Sequence, residues 1–339
     1  MTAKRRLEWL LGPVVLAALI LLSIGIGSVR ISVGDVLAVL LGREGDFPDT
    51  WIMIIRRIRL PRTLAAAMVG GVLATGGVAC QGLFRNPLSE PYLLGISSGA
   101  ALGAAFAIVL APAGAGAGLG VIGLSAFVGA LAVTFAAFMA AGRGAFRLPS
   151  TLLLSGIAIA FLCQAVIWLL MTLHREHVER ITFWTLGSLA SAGWSKVAWL
   201  TAITLPATVV LAYMGRVMDV LSTGHDSAYG LGLRPERAAI IILGVTALGT
   251  AAAVSVSGSI GFVGLMVPHI VRVIGGPSHR SLVVRSWFGG ASLMVAADLT
   301  ARTVNAPGEI PVGIVTALIG APFLLVLTRG KRGEGRMDG

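Results

Sequence analysis

Charge-free stretches divide the chain: Thr63–Phe84, Tyr92–Gly142, Leu148–Leu173, Val197–Gly215, Ala238–Pro268, Ser286–Ala297 and Ile310–Thr328. A helix crosses a bilayer core with about 20 apolar residues, and each run is read as at least one crossing. None alternates with a period of two, and backbone polar groups cannot face lipid unpaired, so the pattern predicts helices rather than a barrel. Tyr92–Gly142 is long enough for two crossings, with a turn in Pro112–Gly120, where helix propensity collapses. An N-terminal span near Leu10–Ser28 and breaks at Pro277 and Ala306–Pro307 bring the count to about ten. The pattern thus predicts an all-α polytopic membrane protein, one domain over residues 1–339, with both ends on one side.

Composition agrees: 56% of residues are hydrophobic, 12% are charged and the mean hydropathy is +0.90. An average soluble domain carries about 25% charged residues. Lys4, Arg5 and Arg6 before the first span are also the start of a signal peptide, but no A-x-A-like site ends it, so the span is expected to be retained. Cys80 and Cys163 fall inside predicted spans and are expected to be packing residues rather than a disulfide. The net charge of +11 sits in loops, as membrane topology requires, which argues against a nucleic-acid partner.

Starting the N-terminus in the cytoplasm places Arg85, Arg143, Arg147, Arg216, Arg234, Arg237, Arg280, Arg285 and the tail Arg329, Lys331, Arg332 and Arg336 inside, in line with the positive-inside rule. Arg56, Arg57, Arg59 and Arg62 break the rule, clustering outside before the second span. Two readings stand. Glu44, Asp46 and Asp49 neutralise them or they snorkel to lipid phosphates; alternatively they form an anion-binding surface. In the second reading a helix beginning around Pro61 puts Arg59 and Arg62 at its mouth, forks open to carboxylates of a docking protein.

Four segments are more specific. From Arg59 the chain reads RLPRTLAAAMVGGVLATGGVACQGLFRNPLSEPYLLGISSGAALGA; from Gly258, GSIGFVGLMVPHIVRVIGGPSHR; from Ala296, AADLTAR; and from Pro307, PGEIPVGIVTALIGAPFLLVL. In this order they resemble the permeases of the iron-chelate and vitamin B12 branch of ABC importers, over nearly the whole chain. The resemblance implies a type II ABC importer permease of the bacterial plasma (inner) membrane, with cytoplasmic termini. It also implies a homodimer working with two cytoplasmic ATP-binding subunits and an extracytoplasmic substrate-binding protein. The cargo implied is a bulky ferric siderophore, haem or cobalamin, with an iron chelate favoured. The chain itself is not expected to be an enzyme, and no cofactor or metal site is implied. Independently, none of Lys4, Lys196 and Lys331 stands in a G-x-x-x-x-G-K-[ST] phosphate loop, so the energy source is expected on another subunit.

Carried over residue by residue, the resemblance assigns binding-protein docking to Arg59, Arg62 and Arg302, with Arg56 beside them. Arg302 also stands at i+4 from Asp298, where a shielding ion pair is the plainer reading. The segment Asp219–Leu233 looks like the loop that couples the permease to its ATPase, through Leu221, Gly224, His225, Asp226, Ala228, Leu231 and Gly232. Thr223 and His225 depart there from the commoner leucine and acid. Asn86 and Leu88, with Pro149 and Ser150, match the cytoplasmic gate, although Pro149 replaces a frequent hydroxyl residue.

Other features have plainer readings. Gly95, Gly99 and Gly103 are small-x-x-x-small steps for helix packing, and GLFRNP at Gly82 and GLMVP at Gly264 echo each other as related halves do. His269 is expected to be a hydrogen-bonded structural residue, and His174 and His177 a solvated loop, although that pair can also face a haem iron. A different class, an ion-coupled secondary transporter, has a relay available in Asp298, Glu309 and His269. An intramembrane enzyme lacks an H-E-x-x-H motif.

Overall fold

The computed structural model describes residues 3–43, 45, 47–110, 120–142 and 149–334, with side chains except at 3–9, 149, 225 and 328–334. Every regular element among the described residues is helical: α1 (Ala3–Gly25), α2 (Val33–Leu40), α3 (Asp49–Met53), α4 (Leu60–Phe84), α5 (Ile96–Leu110), α6 (Val121–Ala141), α7 (Pro149–Leu173), α8 (Val178–Thr185) and α9 (Trp194–Tyr213). There follow α10 (Gly215–Thr223), α11 (His225–Gly230), α12 (Pro235–Ser257), α13 (Val263–Gly275), α14 (His279–Thr303) and α15 (Val312–Glu334). Six helical stretches are long and apolar enough to cross a bilayer: Asp49–Phe84, Val121–Ala141, Ser150–Leu173, Trp194–Tyr213, Pro235–Ser257 and His279–Thr303. Shorter apolar helices cover Leu10–Gly25, Ile96–Leu110, Val263–Gly275 and Val312–Leu327.

Burial sorts these helices into centre and perimeter. The most apolar window of Asp49–Phe84 is 89% buried, against 22% for that of Ser150–Leu173, so α4 is the central post and α7 lies at the perimeter with most of its surface uncovered by the rest of the chain. Glycines let backbones meet along α4. A Cβ at Gly77 would lie 1.7 Å from the Gly264 carbonyl oxygen, and one at Gly70 would lie 2.1 Å from that of Gly290. The Gly99 and Gly103 steps of α5 do the same against α6, where added Cβ atoms would lie 2.5 Å from the Gly129 oxygen and 2.1 Å from the Ser125 oxygen. Without a hydrophobic force between helices in lipid, such close approach is what holds them. The turn expected at Pro112–Gly120 falls, but for Gly120, outside the described residues. Cys80 and Cys163 are free and buried.

Two expectations about boundaries change. The helix carrying the arginine cluster starts at Asp49, not near Pro61. A π-helical turn over Ile54–Arg59 joins α3 to α4, and the Leu60 amide donates to the Ile55 carbonyl. The proline has no N–H to give and its ring crowds the preceding turn; a widened turn absorbs both defects without ending the helix. The run Ala238–Pro268 is also not one helix. It breaks at Gly258, whose φ of 69° suits a residue without a Cβ, and α13 begins after Phe262.

The breaks before α5 and α13 satisfy each other. The Tyr92 hydroxyl accepts from the Ile260 amide at 3.1 Å, Ser97 Oγ donates to Ser259 Oγ at 2.7 Å, and the Gln81 amide donates to the Leu265 carbonyl at 3.1 Å. Irregular backbone at membrane depth persists only with such internal partners.

Candidate functional site

One end of the molecule carries an arginine and acid network, and the other carries α10 and α11. The first follows from helix geometry. On α14, Asp298 and Arg302 are one turn apart, and Arg62 of α4 faces them because the glycine contacts draw those helices together. Arg62 Nε lies 3.0 Å from both Asp298 oxygens, and its Nη2 donates to Oδ1 at 2.9 Å. Its remaining arm, Nη1, donates to Glu309 Oε1 at 2.8 Å. The side chains of Asp298 and Arg62 are 1% and 8% exposed, that of Glu309 39%. The guanidinium therefore bridges a sealed carboxylate and an accessible one.

Arg302 and Arg59 spend their donors on α1. Arg302 Nη2 donates to the Ser23 hydroxyl at 2.7 Å and to the Ser23 carbonyl, while its Nε lies 3.9 Å from Asp298 Oδ2. The expected i, i+4 pair is thus present at ion-pair distance. Arg59 donates to the Ile24, Gly25 and Val29 carbonyls at 2.7, 3.1 and 2.6 Å. These belong to the last turn of α1 and the chain just after it, whose carbonyls have no helical partner. Arg56 donates to the Val39 carbonyl at 2.8 Å, and its own carbonyl accepts from Trp194 Nε1 at 2.9 Å. The four arginines read as one docking surface thus do different local work, with Arg62 and Arg302 joined through Asp298. Glu44 and Asp46, expected to neutralise them, lie outside the described residues.

At the other end α10 buries Met218 and Leu221 and α11 buries Ala228, while Asp226, Leu231 and Gly232 stay exposed. Gly224, with φ 132°, turns one helix into the next, and Gly232 adopts φ 78°. The His225 side chain lies outside the described residues. Arg85 Nη2 donates to the Leu221 carbonyl at 3.0 Å, tying the end of α4 to α10. Asp219 Oδ1 accepts from the His279 amide at 2.9 Å and lies 2.7 Å from His279 Nδ1. That contact fastens α10 to the first residue of α14. His279 was not singled out from sequence, because its partner lies 60 positions away and no local spacing signals it.

Of the gate residues, Asn86 is exposed and its side-chain oxygen accepts from the Leu88 amide at 2.9 Å, holding the N-P-L turn. Leu88 is 39% exposed. Ser150 is exposed in the first turn of α7, the Pro149 side chain is outside the described residues, and no hydrogen bond among the described residues links the two segments. His174 and His177 flank Glu176 at 3.6 and 3.9 Å in the loop after α7. The Glu176 carboxyl is held below its ordinary range by a backbone hydrogen bond and by those two rings. His269 packs edge-on to Phe323 of α15 at 5.9 Å, whereas Asp298 and Glu309 are both paired with Arg62. No His, Cys, Asp and Glu cluster able to hold a metal occurs among the described residues.

The FecCD transport family matches residues 15–330 of the sequence. The chain belongs to the FecCD transport family. Within its reach lies the cobalamin import system permease of Halobacterium salinarum, 42% identical over 84% of this chain and 75% of the relative. The hemin transport system permease of Yersinia pestis is 41% identical over 81% and 83%. The Fe(3+)-citrate import system permease of Bacillus subtilis is 36% identical over 93% and 92%. A solved structure described as a metal-chelate type ABC transporter in an inward-facing conformation superposes with a TM-score of 0.83 at 30% identity, covering 94% of this chain and 97% of that one. The expected family, the helical membrane fold and the importer-permease role stand on these matches, and the ion-coupled relay gains nothing from them.

Proposed function

We propose that this FecCD-family chain carries a bulky metal chelate, a ferric siderophore or haem, with cobalamin the remaining choice, from an extracytoplasmic binding protein to the cytoplasm. The observation that supports this most is the run of relatives, each more than a third identical over most of its length, whose names concern cobalamin, hemin and ferric citrate import. In this reading two copies enclose the pathway, the N- and C-termini face the cytoplasm, and ATP is hydrolysed by two separate subunits seated on α10 and α11. Asn86, Leu88, Pro149 and Ser150 line the inner gate.

The binding protein docks at the opposite end, on Arg56, Arg59, Arg62 and Arg302. The geometry favours Arg62 as the arginine that a partner's carboxylate reaches, since its outer arm is held only by half-exposed Glu309. Docking then exchanges one carboxylate for another, at little electrostatic cost. Uptake of hemin, a ferric hydroxamate and cobalamin into proteoliposomes holding this chain with its cognate ATPase and binding protein tests the assignment. ATP-dependent uptake of one iron chelate above the others is the expected result; uptake of none of the three overturns the substrate class.

A further inference from the structure

A second polar site lies apart from the arginine network. At the ends of α9 and α12 away from α10 and α11, a cavity of about 600 Å³ opens between α6, α8, the start of α9 and the end of α12. Arg180, Trp184, Ser191, Lys196, Ser255 and Ser257 are among its lining residues, and no aspartate or glutamate lines it among the described residues.

Lys196 decides what such a cavity can take. Its residue is 9% exposed, and a buried ammonium is costly unless hydrogen-bonded and paired with a counter-charge. Its hydrogen bond to Ser191 Oγ, at 2.7 Å, occupies one of three N–H bonds. The Ser255 and Ser257 hydroxyls donate back to carbonyls at Ala252 and Ala253, so the charged donors of the wall are Lys196 and Arg180, beside the Ser188, Ser191 and Ser195 hydroxyls, the Trp184 ring N–H and backbone amides. Those amides come from helix starts. α9 begins after Gly193 and α6 after Gly120, neither with a side-chain cap, and the first turns at Ser195 and Gly123 line the cavity. Uncapped helix N-termini add partial positive charge and free N–H groups. Cation, amides and the missing counter-charge call for the same ligand chemistry.

We propose that this cavity is a binding site for an anionic group, a carboxylate or a phosphate, held by Lys196 with Arg180 beside it and the Trp184 ring as a wall. Two sources can supply that group: the carboxylate arm of a soluble chelate, or the phosphate of a lipid headgroup at the membrane surface. The site needs neither the ATPase nor the binding protein, so it is testable apart from transport.

The test uses the full-length chain in phosphatidylcholine nanodiscs, titrated with citrate and with inorganic phosphate and followed by tryptophan fluorescence. Saturable binding is expected, weakened about tenfold or more in Lys196→Gln, which forfeits a charge-assisted contact, and largely kept in Lys196→Arg. Without ligand, Lys196→Gln should unfold at or above the wild-type temperature, because it removes an unpaired buried charge. Replacing part of the lipid by phosphatidylglycerol separates the sources. Competition with citrate in the wild type, absent in Lys196→Gln, assigns the headgroup; undiminished citrate binding assigns the soluble carboxylate. Three results overturn the proposal: no saturable binding of citrate, phosphate or phosphatidylglycerol; equal binding by wild type and Lys196→Gln; or a markedly lower unfolding temperature in Lys196→Gln, which makes the Ser191 contact merely structural.

Discussion

Arg62 holds a carboxylate on each side, and the two differ in what they do. Asp298 is sealed, so removing it leaves buried Arg302 with no carboxylate and Arg62 with Glu309 alone, a loss of about 3–5 kcal/mol. Asp298→Ala should therefore lower the unfolding temperature in detergent sharply, and a variant as stable as wild type would contradict the buried network. Glu309 is half-exposed, and an exposed pair contributes only about 0.2–1 kcal/mol. Glu309→Gln should leave stability nearly unchanged while tightening capture of the binding protein by roughly two- to fivefold, measured by surface plasmon resonance; weaker capture would count against Arg62 as the contact. The sequence displays Asp298 and Arg302 as neighbours because one helical turn separates them. It does not display Arg62 with Asp298, since 236 positions intervene and only helix packing brings them together. Nor does it show that Arg59 caps α1, because the carbonyls it serves carry no side-chain signature.

α4 and α14 are the elements on which the two ends of the molecule depend. Both pass through the centre, both meet the arginine network at one end, and both are tied to α10 at the other, by Arg85 to Leu221 and by His279 to Asp219. In the proposed function, a displacement of α10 would act on two long helices whose far ends carry Arg62 and Asp298. Asp219→Ala should leave the protein folded while reducing the stimulation of ATP hydrolysis by the binding protein; full stimulation would show that α10 acts through other contacts. The close approach of α4 to α13 leaves no room for a methyl group. Gly77→Ala should cost at least about 1–3 kcal/mol, read as a lower unfolding temperature or loss of folded protein in the membrane. Charge-free runs revealed most of the helices, because lipid permits little else. They did not reveal the break at Gly258, since an irregular segment paired internally is as apolar as the helix it interrupts, nor the helix start at Asp49, since a π turn hides the proline.

At the scale of the whole molecule, a helical membrane chain of the FecCD family joins two polar ends through an apolar middle. Motif order made the family and the importer role legible, and the absent phosphate loop pointed to an external energy source. The pairing of the polar ends was not legible, because it rests on contacts between helices far apart in sequence. The most direct measurement is chelate accumulation in proteoliposomes containing this chain, its binding protein and either an active ATPase or one unable to hydrolyse ATP. Accumulation with the active ATPase alone is the result expected of an importer permease. Equal accumulation with the inactive ATPase, or accumulation driven by a proton gradient without any ATPase, would contradict it.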